Sequence, residues 1–88
     1  MVDKDIRAIM RGHLISLDNK PKRLDKGDEF YRTKHYGLII GHNHVSFKQG
    51  SKVNRFKYSE IKKFFLKDSS VFVFDLHSTK KRFYFKII

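Results

Sequence analysis

Short runs in which hydrophobic and polar residues alternate fill the chain from Glu29 onward, and turn residues separate them. In His44–Lys48, for example, Val45 and Phe47 fall on one face and polar residues fall on the other. Alternation with a period of two is typical of a strand with one buried face. The pattern predicts seven strands: Phe30–Lys34, Tyr36–Ile40, His44–Lys48, Val53–Tyr58, Ile61–Leu66, Val71–Leu76 and Arg82–Ile88.

The amino-terminal part of the chain is less regular. Acidic residues at positions 3 and 5 precede Ile6–Met10, an order typical of one or two helical turns, although the same residues could also start a strand. Gly12–Leu17 is predicted to be a strand. Asp18–Arg23 carries turn residues and the only proline, and Asp25–Asp28 is a second turn signal.

Together these elements predict one mainly β domain over residues 1–88. We expect a small antiparallel barrel or strongly bent sheet of six or seven strands, with residues 1–11 as a helical or flexible segment. A chain of 88 residues leaves no room for a second domain. The predicted core consists of large apolar residues: Leu14, Leu38, Ile40, Val45, Phe47, Phe56, Ile61, Phe64, Phe72, Phe74, Phe83, Phe85 and Ile87.

The amino-acid composition excludes several kinds of functional site. The absence of cysteine excludes a disulfide framework, a thiolate zinc site, an iron–sulfur cluster and a cysteine nucleophile. No apolar run approaches the roughly 20 residues that a membrane-spanning helix needs. The charged amino terminus is unlike a secretory signal, so we expect a cytoplasmic protein.

The net charge of +11 is unevenly distributed, because residues 45–88 hold 11 basic and 3 acidic residues, a net charge of +8. Such a field attracts nucleic acid, an anionic membrane or an acidic protein surface. A lysine-rich surface that only keeps a small protein in solution would show the same balance, and so would the product of an AT-rich coding sequence. The charge therefore indicates an acidic partner without identifying it.

The clearest candidate site is Arg82–Lys86. Because side chains alternate between the two faces of a strand, Phe83 and Phe85 are expected on the buried face and Tyr84 on the opposite face, between two cations. Nucleic-acid-binding sheets use this arrangement, since the ring stacks on a base while the cations meet phosphates; an ordinary amphipathic strand has it too. The candidate anion-binding residues, expected to share one sheet face with Lys62, Lys63, Lys80 and Lys81 at its edges, are Lys48, Arg55, Lys57, Arg82, Tyr84 and Lys86.

Metal and catalytic chemistry have little support in the sequence. His42 and His44 have a spacing that can chelate a metal, but no carboxylates suited to complete the site lie nearby in sequence, and the net charge of +11 opposes cation binding. Gly37–Gly41 is not a phosphate loop, because no Gly-Lys-Ser/Thr sequence follows it. No acid–base carboxylate pair stands out. We therefore expect no metal, no cofactor and no enzymatic activity.

A further pattern is carried by three segments: Gly37–Ile40, Val45–Gly50 and Arg55–Lys63. Within the last of them, Tyr58–Ile61 matches a polar-acidic-isoleucine corner at which one strand turns directly into the next. With Val71–Leu76 and Arg82–Ile87 as a final hairpin, Tyr36–Ile88 resembles the pleckstrin-homology-like superfold, including its small bacterial versions and the third lobe of FERM domains. The resemblance covers about 50 residues and implies a fold far more than a function.

Members of that superfold finish with an amphipathic helix that plugs the barrel, whereas this sequence ends at Ile88, after the last predicted strand. Four explanations stay open: Asp3–Met10 is the plug, a partner supplies it, the sequence is truncated, or the resemblance is misleading. An unplugged mouth would expose apolar surface and favour self-association or partner docking. The lipid-binding members hold inositol phosphates in a basic early loop, which gives an alternative lipid or anion site at Lys20, Lys22 and Arg23.

These observations predict a non-catalytic basic binding module that engages nucleic acid or a nucleoprotein complex through a positively charged sheet face. One alternative is a protein-interaction adaptor that binds an acidic partner along an exposed strand edge. The other is peripheral attachment to an anionic membrane surface.

Overall fold

The computed structural model describes residues 3–88 and begins with one helix, α1, over Asp3–Ser16. Ile6, Met10 and Leu14 follow one another at intervals of four residues, and all three are completely buried. This spacing puts them on one side of the helix, and that side joins the hydrophobic core. Neither α1 nor any other helix within residues 3–88 has the length and apolarity needed to cross a membrane.

The helix runs further than the sequence predicts, so the strand predicted for Gly12–Leu17 is wrong. Leu14 extends the helical spacing of Ile6 and Met10, and burial of this whole side outweighs the β-like pattern of the short run. Gly12 is tolerated within the helix, although glycine is a poor helix former. Packing against the core therefore decides the secondary structure here.

The carboxyl end of α1 is closed by backbone hydrogen bonds. The amide of Asp18 donates to the carbonyl of Ile15 at 2.9 Å, and the amide of Asn19 donates to the carbonyl of Leu14 at 3.0 Å. Asp18 has a φ of +60°. These features make a Schellman motif, with an aspartate at the left-handed position where glycine is usual.

Within residues 3–88, eight strands form two antiparallel sheets, and each strand pairs only with its neighbours along the chain. The first sheet contains β1 (Lys22–Arg23), β2 (Glu29–Arg32), β3 (Gly37–Ile40), β4 (His44–Gln49) and β5 (Lys52–Lys57). The second sheet contains β6 (Ile61–Lys67), β7 (Val71–Leu76) and β8 (Arg82–Lys86). Short 3-10 turns lie at Asp25–Gly27 and at Tyr58–Glu60, and the second turn joins the two sheets.

The mainly β prediction is confirmed. Each of the seven strands predicted from Phe30 onward has a counterpart, while β1 is an additional strand inside a predicted loop. The strands do not close into a barrel, because β5 and β8 are the unpaired edges of separate sheets. The chain bends between the sheets at Tyr58–Glu60. There the buried hydroxyl of Tyr58 donates to the carbonyl of Gly41 at 2.9 Å and anchors the bend to the first sheet.

Phenylalanine rings fill the core between the two sheets. Phe47 of β4 stacks on Phe85 of β8 with ring centroids 3.9 Å apart, and Phe56 of β5 lies 5.4 Å from Phe74 of β7. Twelve of the thirteen predicted core residues are buried, and the exception, Phe83, is partly buried against the core. Among the residues whose burial is described, the sequence prediction misses six hydrophobic ones: Ile6, Met10, Tyr31, Tyr58, Val73 and Leu76.

A buried carboxylate joins α1 to the first sheet. Glu29 of β2 is only 6% exposed and accepts a hydrogen bond from Nε of Arg11 at 2.6 Å. This hydrogen bond is the main cause that raises the pKa of the Arg11 guanidinium above its usual value. The hydroxyl of Tyr31 lies 3.5 Å from the same Glu29 oxygen, and burial raises the pKa of that hydroxyl. The contacts fix the helix beside β2 and supply a partner for an otherwise isolated buried charge.

Candidate functional site

The outward side of the three-stranded sheet carries Tyr84. We call it the aromatic face and define it by its outward residues: Lys63, Phe65, Lys67, Val71, Val73, Asp75, Arg82, Tyr84 and Lys86. Tyr84 lies opposite Val73, and Val73 lies opposite Phe65, so the three form one row across the sheet. Tyr84 is 52% exposed, whereas Val73 is completely buried. Two aromatic residues therefore flank a covered valine at the centre of this face.

Cations lie close to both rings of the row. Nζ of Lys67 is 5.6 Å from the centroid of the Tyr84 ring. Nζ of Lys63 and Cζ of Arg82 are 5.3 Å and 5.2 Å from the centroid of the Phe65 ring. These distances allow cation–π attraction, which holds the cations near the rings. The arrangement predicted for Tyr84 alone thus extends to a second aromatic residue.

Asp75 is the single carboxylate among the outward residues that define the aromatic face. Its two oxygens accept hydrogen bonds from Arg82, at 2.8 Å from Nε and 3.0 Å from Nη2. The Arg82 hydrogen bonds are the main cause that holds the pKa of Asp75 below its usual value. Asp75 thus offsets the charge of Arg82, and within the described part of the chain no salt bridge engages the three remaining cations of the face: Lys63, Lys67 and Lys86.

An open depression of about 670 Å³ adjoins the aromatic face at the end where Asp75 and Arg82 lie. Its walls include Lys62, His77 and Lys80. Lys62 lies where the ladder between β6 and β7 shifts register, between Ile61 and Lys63. Two of the lysines predicted at the edges of a basic surface therefore meet at one end of the aromatic face.

The outward side of the five-stranded sheet is a second, separate surface. We call it the grooved face and define it by its outward residues: Lys22, Phe30, Arg32, Gly37, Ile39, His44, Ser46, Lys48, Val53, Arg55 and Lys57. Three of the six candidate residues, Lys48, Arg55 and Lys57, lie here, and the other three lie on the aromatic face. The expectation that all of them share one sheet face is wrong, because the bend at Tyr58–Glu60 carries the chain into the other sheet.

The alternative lipid or anion site predicted in the early basic loop lies only partly on these surfaces. Lys20, Lys22 and Arg23 are all exposed. Lys22 pairs with Phe30 and so lies at the margin of the grooved face, whereas Arg23 pairs with Glu29. Of the three residues, Lys22 alone belongs to the outward side that carries Lys48, Arg55 and Lys57. A role of the three in lipid binding stays a prediction.

The two neighbouring histidines have different partners. Nη1 of Arg7 lies 3.0 Å from Nδ1 of His42, and Nη2 of Arg55 lies 3.1 Å from Nε2 of His44. Burial, followed by the Arg55 charge, lowers the pKa of His44. A guanidinium donates a proton and never accepts one, so each contacted imidazole nitrogen acts as an acceptor. Among the side chains that the structure describes, no three histidine or acidic groups cluster in a way that could hold a metal ion.

Sequence reasoning misses Phe65 and Lys67 as companions of Tyr84 and gives Lys63 only an edge position. A signal was available, because Lys63, Phe65 and Lys67 repeat the cation–ring–cation order of β8 with a period of two. The apolar neighbours Phe64 and Leu66 hide this period, since they turn the segment into a continuous hydrophobic run.

Two candidate surfaces thus lie on the outward sides of the two sheets, with the aromatic core between them. Comparison of the chain with protein-family models, with curated proteins and with solved structures finds no match.

Proposed function

We propose that this chain is a non-catalytic binding module that holds single-stranded nucleic acid on the aromatic face. The observation that carries the proposal is the row of Phe65, Val73 and Tyr84, in which an exposed tyrosine and a second ring stand beside cations. Rings stack on bases and cations neutralise phosphates, so the face offers both interactions that single strands use.

The rings provide the sequence-tolerant part of binding. Neighbouring strands lie about 4.8 Å apart, so two residues separated by one strand stand about 10 Å apart and can each stack with a separate base. Stacking on one aromatic side chain contributes about 1–3 kcal/mol per base. Paired bases do not offer their faces to a protein surface, and this favours single strands over duplexes.

The lysines provide the electrostatic part of binding. Lys63, Lys67 and Lys86 lie on both sides of the aromatic row, and Lys62 and Lys80 continue the positive charge into the adjoining depression. Each phosphate contact on a single strand contributes about 0.7 to the slope of log affinity against log salt. Three such contacts therefore correspond to a slope of about 2.

The proposal is tested by fluorescence anisotropy with labelled single-stranded DNA, single-stranded RNA and duplex DNA, at low salt and at about 0.15 M salt. We expect single strands to bind more tightly than duplex. We expect Tyr84→Ala to weaken single-strand binding about tenfold, and the addition of Phe65→Ala to that variant to weaken binding further. Circular dichroism should show that the fold persists in both variants.

A matched pair of lysine variants distinguishes nucleic-acid binding at the aromatic face from diffuse electrostatic attraction to the whole protein. Lys67→Ala removes one charge from the aromatic face, and Lys57→Ala removes the same charge from the grooved face. We expect the salt slope to fall by about 0.7 for Lys67→Ala and to stay unchanged for Lys57→Ala. Equal effects of the two variants, or an affinity that Tyr84→Ala leaves unchanged, would overturn the proposal.

A further inference from the structure

The grooved face contains a depression with an apolar floor. A hollow of about 240 Å³ is lined by Phe30, Gly37, Ile39, Ser46, Lys48, Val53 and Arg55. A second hollow of about 320 Å³ shares Phe30, Gly37 and Lys48 with the first and continues toward Arg32 and Gly50. Val53 is 55% exposed although it is an aliphatic residue on a regular strand. The two hollows together form one groove across the first sheet.

The aromatic ring in this groove is poorly placed for base stacking. A Cβ atom at Gly37 would lie 3.0 Å from Cε2 and 3.2 Å from Cζ of Phe30, so the ring rests directly against the glycine backbone. The guanidinium carbon of Arg32 lies 5.6 Å from the centroid of the same ring. The remaining apolar surface comes from Ile39 and Val53, which are aliphatic. The groove thus suits an inserted apolar side chain better than a nucleobase.

The rim of the groove is positively charged. Arg32, Lys48 and Arg55 line it, and none of its described lining residues is acidic. The carboxylate of Asp28 lies near Gly41 and His44 and lines neither hollow. An occupant with carboxylates on both sides of an apolar residue would match this surface in charge.

The groove also contains an unused hydrogen-bonding group. Ser46 is only 6% exposed and lines the first hollow, opposite Ile39 in the ladder. Among the described residues its hydroxyl has no hydrogen-bond partner. A hydroxyl both donates and accepts, so it could bond a peptide group that enters the groove.

We infer that the grooved face is a second docking surface, and that its occupant is an acidic protein segment with an exposed aliphatic side chain. The aliphatic side chain fills the hollow over Ile39 and Val53, the acidic residues pair with Lys48 and Arg55, and Ser46 bonds the segment's backbone. This surface lies on a different sheet from the aromatic face, so the protein could hold a nucleic acid and an acidic partner at once.

The inference is tested with a fluorescein-labelled peptide that alternates glutamate and leucine, and with a matched peptide in which serine replaces every leucine. We expect the leucine peptide to bind the whole chain and the serine peptide to bind about tenfold more weakly at about 0.15 M salt. Val53→Asp and Lys48→Ser should each weaken binding of the leucine peptide about tenfold. Both positions are exposed, so neither variant should unfold the protein.

The same variants are then titrated with single-stranded DNA, and Tyr84→Ala is titrated with the leucine peptide. We expect Val53→Asp and Lys48→Ser to leave DNA affinity within about twofold, and Tyr84→Ala to leave peptide affinity within about twofold. Equal binding of the two peptides would overturn the inference, as would peptide affinity that Val53→Asp does not change. DNA binding that Val53→Asp abolishes would overturn it too, because the groove would then belong to a nucleic-acid path. Failure of the Tyr84→Ala effect on DNA alone would overturn only the proposed function.

Discussion

At the scale of single residues, Asp75 limits the positive charge of the aromatic face, because its two carboxylate oxygens accept hydrogen bonds from Arg82 and offset the charge of that guanidinium. Asp75→Asn removes the only negative charge among the outward residues of this face and releases the guanidinium. We expect single-strand affinity to rise about threefold at low salt and the salt slope to become steeper. Glu60→Gln, which removes the same charge from the turn between the sheets, is the control and should leave the affinity nearly unchanged. A lower affinity for Asp75→Asn would contradict this expectation and show that the Asp75–Arg82 ion pair holds the aromatic face in its binding geometry.

His44 makes stability depend on pH. Its pKa lies below the usual 6.5 because of burial and the Arg55 charge, which outweigh the opposing effect of Asp28. The unfolded chain therefore binds this proton more tightly than the folded chain. The free energy of unfolding should fall as the pH drops below about 6.5, and this loss is complete below the folded pKa.

Urea unfolding at a series of pH values from 7.5 to 5 measures this dependence. We expect His44→Gln to show a smaller loss of stability on acidification than the wild type. If His44→Gln loses stability in parallel with the wild type, the pH dependence comes from other groups.

At the scale of elements, the end of α1 offers a test of local strain. Asp18 adopts a φ of +60°, which is unfavourable for a residue with a Cβ atom, and it places a negative charge at the negative end of the helix dipole. Asp18→Gly should raise the free energy of unfolding by about 0.5–1 kcal/mol, after allowance for the greater freedom of glycine in the unfolded chain. Asp18→Ala removes the charge but keeps the Cβ atom, so it should raise the free energy of unfolding by less than Asp18→Gly does. If the two variants raise the free energy of unfolding equally, the effect comes from the charge alone.

The buried side of α1 is tested by two substitutions on adjacent residues. Met10 is completely buried, whereas Ile9 is 40% exposed. Met10→Ala should lower the free energy of unfolding by about 2–5 kcal/mol, because it leaves a cavity in the core. Ile9→Ala should cost less than about 1 kcal/mol by chemical denaturation. Similar costs at the two positions would contradict the packing of this helix.

Elements with local signals were predictable, and those that depend on packing were not. A period of two and flanking turn residues are enough to find β2 to β8, because both signals lie within a few residues. The helical nature of residues 12–16 depends on Leu14 reaching a core built by distant strands. β1 is also beyond a local pattern, since two residues beside a proline become a strand only when β2 is there to pair with them.

At the scale of the whole molecule, the sequence indicated which residues face outward and failed to indicate which of them share a surface. Outward positions follow from spacing within a strand, as for Tyr84 and its flanking cations. The division of the candidate residues into two faces follows from the bend at Tyr58–Glu60. The sequence indicated a corner at Tyr58–Ile61, but no local pattern indicated that this corner leads into a separate sheet. For the same reason the pairing of Tyr84 with Phe65 through Val73 required the ladder register.

Because strand order follows chain order in both sheets, each hairpin can form as soon as its second strand leaves the ribosome. The first sheet is complete at Lys57, but the inner rings of Phe47 and Phe56 receive their stacking partners only from β7 and β8. A nascent chain that pauses between these points would present an apolar sheet to the solvent, with a free strand edge beside it. The vulnerable interval in the synthesis of this protein therefore runs from the end of β5 to the end of β8, and chaperone contact or rapid elongation would matter most there.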